Sequence, residues 1–401
     1  MRRPSNHHLP SEAAEDITAR LAARAGERAT AAYGGRTLDR LLAEDLPGNQ
    51  LTTLLLHGLR RRALRRTFVE VLEHGARAAM TQASTADARR LHAFDAVAYA
   101  AARDFEAVEL APVVPLGAAA CVGVDPNNVL GAVRFAEVAS DPALGLALHA
   151  AQSRPRRRGE TIRLCASHRV LRMQPTNHPG YVPHFRLFAL GTAALSASRG
   201  EDGAQDRRAL LEQLQVWAAL TRKLPAAGFG VAGMRIVLSD TAVVRACFSA
   251  LKVDVDAMVR GAKAHAPGST EALLREARID LPRAAEDLAE VARSVGLGAE
   301  VIARARALST EVAEPLRSVH PHVEVVYDAA RLQGLGYYAG PFVQIVMTRD
   351  DGAAIPLGDG GALPWLGAML SNRRERWVVT GVGSELIIKL FDRAPREETR
   401  S

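Results

Sequence analysis

With 401 residues and 48% hydrophobic content, the chain is long enough for two or three domains and can fill a large core. Its 51 basic and 44 acidic residues give a formal net charge of +7, a mild excess that does not by itself mark a nucleic-acid binder. The sequence lacks a run of ~18 apolar residues, an apolar stretch after Met1-Arg-Arg and a C-x-x-C pair, which disfavours a membrane span, a signal peptide and a structural zinc site. A cytoplasmic protein with reduced, buried Cys121, Cys165 and Cys247 is expected.

Residues 1–12 are polar and read as a frayed tail. From 13 to 103, apolar residues recur three and four apart (Leu51, Leu54, Leu55 and Leu59, then Phe68, Val71 and Leu72), which predicts an N-terminal helical region. Arg60-Arg61-Arg62 with Arg65-Arg66, and Arg154-Pro-Arg156-Arg157-Arg158, read either as solvated surface or as phosphate-tracking patches. No aromatic residue interleaves with them, so base stacking has no support. The segment from Phe105 alternates and stops at Pro112, as an edge strand does. Ser140-Asp141-Pro142 ahead of an apolar run predicts a capped helix start.

Residues 161–165 and 168–172 read as one strand or two, and 185–190 as the returning partner. The chain turns helical again to about His320, broken by a short strand from Met234 to Leu238. Strand character resumes at Val323 to Tyr327 and at Tyr338 to Met347, and again at Trp377 to Thr380 before a closing helix. Strand blocks split by a long helical segment predict an α+β fold with an antiparallel sheet. A G-x-G-x-x-G opening a helix and a P-loop lysine are both absent.

Gln333-Gly-Leu-Gly-Tyr-Tyr-Ala-Gly340, then Gly360-Gly361, then Gly381-Val-Gly-Ser-Glu385-Leu386 resemble, in order and spacing, the C-terminal half of the histidyl-tRNA synthetase catalytic domain. That family carries R-G-L-D-Y-Y-T-G, G-G-R-Y-D and a glycine-rich turn ending in E-R. Asp104 to Pro112 resembles the first motif of class II aminoacyl-tRNA synthetases, and Arg172-Met-Gln174 with Tyr181 to Phe185 resembles the second. The resemblance implies a class II synthetase-like antiparallel sheet flanked by helices. It also implies a core in two parts, 104–204 and 319–395, around a helical insertion at 205–318. A homodimer is implied too, since the first motif forms the family's dimer interface. The chain stops soon after the third motif, where the family continues into an anticodon-binding domain. The regulatory subunit of ATP phosphoribosyltransferase shares that truncation, so a phosphoribosyltransferase-type partner is a further expectation.

Amino-acid activation needs cations on the transferring phosphate and on the leaving pyrophosphate, a task suited to arginine. By resemblance Arg172 fills one of three such roles, while Gln333 and Leu386 stand where the other two arginines belong. Arg331, Arg186 or Lys389 would have to substitute. Gln174 can hydrogen-bond but carries no charge where the family has glutamate. Asp141, Tyr337 and Tyr338 are candidates for the amino-acid pocket, Phe185 for its wall, and Glu385 for the third motif. Gly340, Gly360 and Gly361 are candidates for close backbone approach to a ligand, or are ordinary turn glycines. His178 and His184 read as phosphate contacts or as exposed loop residues.

The favoured expectation is a degenerate histidyl-tRNA synthetase-like homodimer that binds an amino acid or adenine nucleotide in a regulatory role, without tRNA charging. One alternative is an adenylating enzyme with ATP and Mg that passes the amino acid to a non-tRNA acceptor. Another is RNA binding through the arginine clusters. Neither a resident metal nor a membrane partner is expected.

Overall fold

The structure, a computed structural model, describes residues 40–173, 183–197, 203–264 and 269–393. The polar tail, the first part of the N-terminal region, Gln174, His178 and Tyr181 lie outside the described residues. Two compact units emerge: Met1–Arg77 with Gly131–Ala136, and Ala78–Leu130 with Glu137–Ser401. In the first, helices α1 (Gly48–Ala63) and α2 (Phe68–Arg77) contain no buried residue. Phe68, Val71 and Leu72 share one exposed face of α2, and the arginines from Arg60 to Arg66 are exposed.

The second unit is built on one eight-stranded sheet. Its strands are β1 (Glu106–Ala107), β2 (Ile162–Leu171), β3 (His184–Leu195), β4 (Val231–Asp240), β5 (Val323–Tyr327), β6 (Pro341–Arg349), β7 (Ala354–Leu363) and β8 (Glu375–Val382). They lie in the order β1-β2-β3-β8-β7-β6-β4-β5. All the inner pairings are antiparallel, and only the two outermost, β1 with β2 and β4 with β5, are parallel. Residues 161–172 therefore form one strand, and the segment at Phe105 contributes only a two-residue edge strand before Pro112.

The region expected as a separate insertion, 205–318, does not stand apart from the sheet. Its strand is longer than the sequence pattern suggested and lies inside the sheet, between β6 and β5. Helix α3 (Ala88–Ala101) and the long helix α5 (Ala204–Lys223) cover the sheet, and α4 (Pro142–Ser153) comes between them in the chain. Polar bonds fix α5 in register: Trp217 Nε1 donates to Thr380 Oγ1 at 2.7 Å, and Gln213 Nε2 to the Val378 carbonyl at 3.0 Å. Because these groups are fully buried, their bonds replace water and leave no unmet donor. Phe94, Phe188, Phe229 and Trp217 pack edge to face beneath, with centroids 6.0–6.4 Å apart.

Helix α4 starts as its sequence predicts: Asp141 accepts from the Ala143 amide at 2.8 Å, and Pro142 takes the first turn. Arg154, just past its C-terminal end, departs from the expected exposed loop. It is buried and lies 3.0 Å from Glu375 at the start of β8. Arg157 pairs with Glu106 and Glu160. Arg154 and Arg157 thus tie this segment to the sheet, while Arg156 and Arg158 stay exposed. Cys165 and Cys247 are buried as expected, and burial pushes their thiols up to about 12 and about 11. Cys121 is exposed instead, on a four-residue helical turn with too few neighbours to cover it. Among the described residues no helix is long and apolar enough to cross a membrane.

Candidate functional site

One face of the sheet carries a cavity of about 640 Å³. Its floor follows from strand register. Gln344 on β6 faces Asp359 on β7, Asp359 faces Gly381 on β8, and Gly381 faces Ala189 on β3. These four cross-strand neighbours form one row, and all line the cavity. Its walls come from the N-terminal end of α4, from the segment 331–338 and from helix α9 (Ser384–Phe391).

Asp141, Arg172, Phe185, Gln333, Tyr337, Tyr338 and Glu385 all line this space, although Asp141 and Glu385 lie 244 residues apart in the chain. Gly340, Gly360 and Gly361 do not. A Cβ on Gly360 would meet Thr380 and the Val379 carbonyl at 2.4 Å, and one on Gly361 would meet Phe342 at 2.7 Å. These two glycines let neighbouring strands and side chains close up within the sheet. Gly340 packs near Ala362 and Asp206, away from the cavity. Gly334 is the turn glycine of the motif: its φ is +86°, and a Cβ would strike the Tyr338 ring at 2.8 Å.

The aromatic wall extends beyond the tyrosine pair. Tyr337 and Tyr338 meet edge to face at 5.1 Å, Tyr337 meets Trp365 at 5.5 Å, and Tyr338 stacks on Phe342 at 5.8 Å. Burial raises both phenols well above the usual tyrosine range, so they act as neutral hydrogen-bonding groups. Trp365, two residues past the end of β7, also supplies an aromatic ring to the wall. Only its place just after the Gly-Gly strand pointed to it in the sequence.

Arg172 lines the cavity as expected, and of the three candidate substitutes Arg331 and Lys389 do so while Arg186 does not; Leu386 presents an apolar side chain there. Arg172 and Lys389 each have a carboxylate beside them. Arg172 Nη2 lies 3.3 Å from Asp141, and its Nε donates to the Ser140 carbonyl at 3.0 Å. Lys389 lies 3.1 Å from Glu385, one helical turn away. Arg331 is held over the Phe342 ring at 4.8 Å, and Asp359 is the carboxylate acting on it most strongly. The Arg331 guanidinium is buried, and its Nε and Nη1 have no hydrogen-bond partner among the described residues. Asp359 itself is reached from the cavity but ringed by protein. Burial, with Asp141 nearby, raises its carboxyl above the ordinary range, against the pull of Arg331, Tyr338 and Arg172.

Glu385 is the hub at the third motif. It accepts from the Ser84 hydroxyl and lies 3.0 Å from Arg169 as well as beside Lys389. Nearby, the Gln82 carbonyl lies 2.6 Å from His184 Nε2, so the segment 82–84 is bound to β3 and α9 together. Burial pushes the Glu385 carboxyl up, but Ser84, Lys389 and Arg169 outweigh it, and the folded value falls below the usual glutamate range. A depressed folded pKa gives stability that is complete above the unfolded value and is lost as pH falls through the folded one. Glu385→Gln is expected to flatten the acid limb of a melting-temperature profile below about pH 4.5. Asp359→Asn is expected to act with the opposite sign, because a raised folded value contributes stability below the unfolded pKa that is lost on alkalinisation.

Among the described residues no group of three or more His, Cys, Asp or Glu is placed to hold a metal ion. No family model matches the sequence, and no curated protein matches it. Solved structures do match the fold, which is that of the class II synthetase catalytic domain: a mostly antiparallel sheet flanked by helices. Within that class the matches are of histidyl-tRNA synthetase type. An ATP phosphoribosyltransferase regulatory subunit/histidyl-tRNA synthetase from Bacillus halodurans superposes with a TM-score of 0.55 at 15% identity, over 75% of this chain and 78% of that one. Histidyl-tRNA synthetase from a Nostoc species gives 0.56 at 13% identity, over 78% and 74%. A histidine–tRNA ligase subunit from Alicyclobacillus acidocaldarius gives 0.53 at 15% identity, over 77% and 94%.

Proposed function

We propose that the protein binds a small amino-acid-type ligand in this cavity and serves a regulatory role without charging tRNA. The observation that carries this reading is the buried Arg331 guanidinium beside the cavity, whose Nε and Nη1 have no hydrogen-bond partner among the described residues. Leaving such donors unmet is costly, and a ligand carboxylate would satisfy them with charge-assisted bonds. Asp141 and Asp359 stand ready for an ammonium group, and Tyr337, Tyr338 and Trp365 for an apolar or aromatic side chain. By likeness to the matched structures, a homodimer and a phosphoribosyltransferase-type partner enzyme belong to the same proposal.

A panel of amino acids, ATP and histidine-pathway metabolites in a thermal-shift assay tests it, because a ligand of the native state raises the melting temperature by mass action. An upward shift with at least one amino acid is the expected result. Rapid amino-acid-dependent exchange between pyrophosphate and ATP would overturn the regulatory reading. That outcome would favour the second reading, an adenylating enzyme using ATP and Mg with a non-tRNA acceptor. Its support is that Arg331 and Lys389 join Arg172 in the cavity, and against it stand Asp141, Asp359 and Glu385, which balance the three.

A further inference from the structure

We infer that Asp359 is a charge selector, which sets the cavity against polyphosphates and in favour of ligands whose anionic group is balanced by a cationic one. This rests on the small-ligand reading above and specifies the class of ligand admitted. Asp359 stands on a central strand, directly before Gly360-Gly361, with Gln344 and Gly381 as its cross-strand neighbours. A side chain anchored in the middle of a sheet floor cannot swing out of the cavity as one on a loop can. Arg331 and the Tyr338 hydroxyl both act on its carboxyl group.

The charged side chains lining the cavity balance, Arg172, Lys389 and Arg331 against Asp141, Glu385 and Asp359, with Arg172 paired to Asp141 and Lys389 to Glu385. The lining therefore has no net positive charge to offer a ligand carrying several negative ones. Leu386, on the exposed side of α9, adds an apolar side chain at that end. A zwitterion meets no such opposition, since its carboxylate is drawn to the cations of the lining and its cationic group to the acids. A pyrophosphate or triphosphate chain gains from the arginines but is repelled by every carboxylate. With an effective dielectric of ~20 and a separation of several ångströms, removing one such repulsion is worth about tenfold or more in affinity.

Calorimetric titration of the full-length protein and its Asp359→Asn variant with inorganic pyrophosphate and with ATP tests the selector. Wild-type protein is expected to bind either one no tighter than about millimolar, and the variant to bind at least about tenfold tighter. Asp359→Ala is expected to behave like Asp359→Asn, and either variant suffices if the other does not fold. Tight polyphosphate binding by wild-type protein, or equal affinity in wild type and variants, overturns the assignment. Failure of the small-ligand reading shows differently, as no amino acid shifting the melting temperature of wild-type protein.

Discussion

Replacing Arg154 with methionine is expected to lower stability by about 3–5 kcal/mol, the usual cost of leaving one member of a buried ion pair uncompensated. Arg154 and Glu375 are 6% and 7% exposed, so little water can reach the carboxylate once the guanidinium is gone. The contact of 3.0 Å is one of charges rather than a well-aligned hydrogen bond, because neither Arg154 Nη2 nor Glu375 Oε2 has a hydrogen-bond partner. Arg154 Nη1 also donates to the carbonyls of Arg157 and Glu160, at 3.1 and 2.6 Å, and thereby fixes the turn after α4. A second change, Glu375→Leu, made together with Arg154→Met should recover much of the loss, since an apolar pair can replace a buried ionic one. Urea denaturation of the two single variants and the double variant measures this. A loss under ~1 kcal/mol for Arg154→Met would show that the pair is hydrated.

Arg331→Met is expected to give the opposite profile: little change in the unliganded protein, and ligand binding weakened by about 10- to 100-fold. The first half follows because the guanidinium is buried with two unmet donors, so an unbranched apolar side chain removes a cost along with a charge. Asp328 keeps its bonds from Arg283 at 3.1 Å and from the Ala330 amide at 2.9 Å, and Asp359 opens onto the cavity where water reaches it, so neither is stranded. The second half follows from the ~1.5–3 kcal/mol of a hydrogen bond to a charged group. Melting temperatures with and without the amino acid found in the thermal-shift panel separate the two. A collapse of the unliganded protein with the ligand-induced shift intact would make Arg331 a structural residue.

Much of the site could be read from the sequence because its glycines and tyrosines sit in a short, ordered run whose spacing survives without the charges. Asp141 was visible for a second reason: a carboxylate before Pro142 and an apolar stretch caps a helix wherever it occurs. Asp359 and Gln344 gave no local signal. They meet only through register, β7 against β6, and register depends on a partner strand far away in sequence. Gly360 and Gly361 misled for the same reason. A glycine needed for close contact with Phe342 or Thr380 looks, in one dimension, like a glycine needed for a ligand. The helical stretch 205–318 seemed self-contained because its apolar periodicity dominates. Strand β4 inside it takes its place from β6 and β5, which lie beyond the end of that stretch.

The position of β8 bears on how the molecule comes together. This strand alone joins β1-β2-β3 to β7-β6-β4-β5, and its partner β3 was synthesised nearly two hundred residues earlier, with Glu375 opposite Leu195. Until that last strand is laid in, the two half-sheets have unpaired borders and no shared floor, so closure is a slow, long-range event. Because Ala189, Gly381 and Asp359 straddle this seam, anything bound above it acts as a clasp. Amide hydrogens of β3 and β8 are where occupancy would register most strongly as slowed exchange.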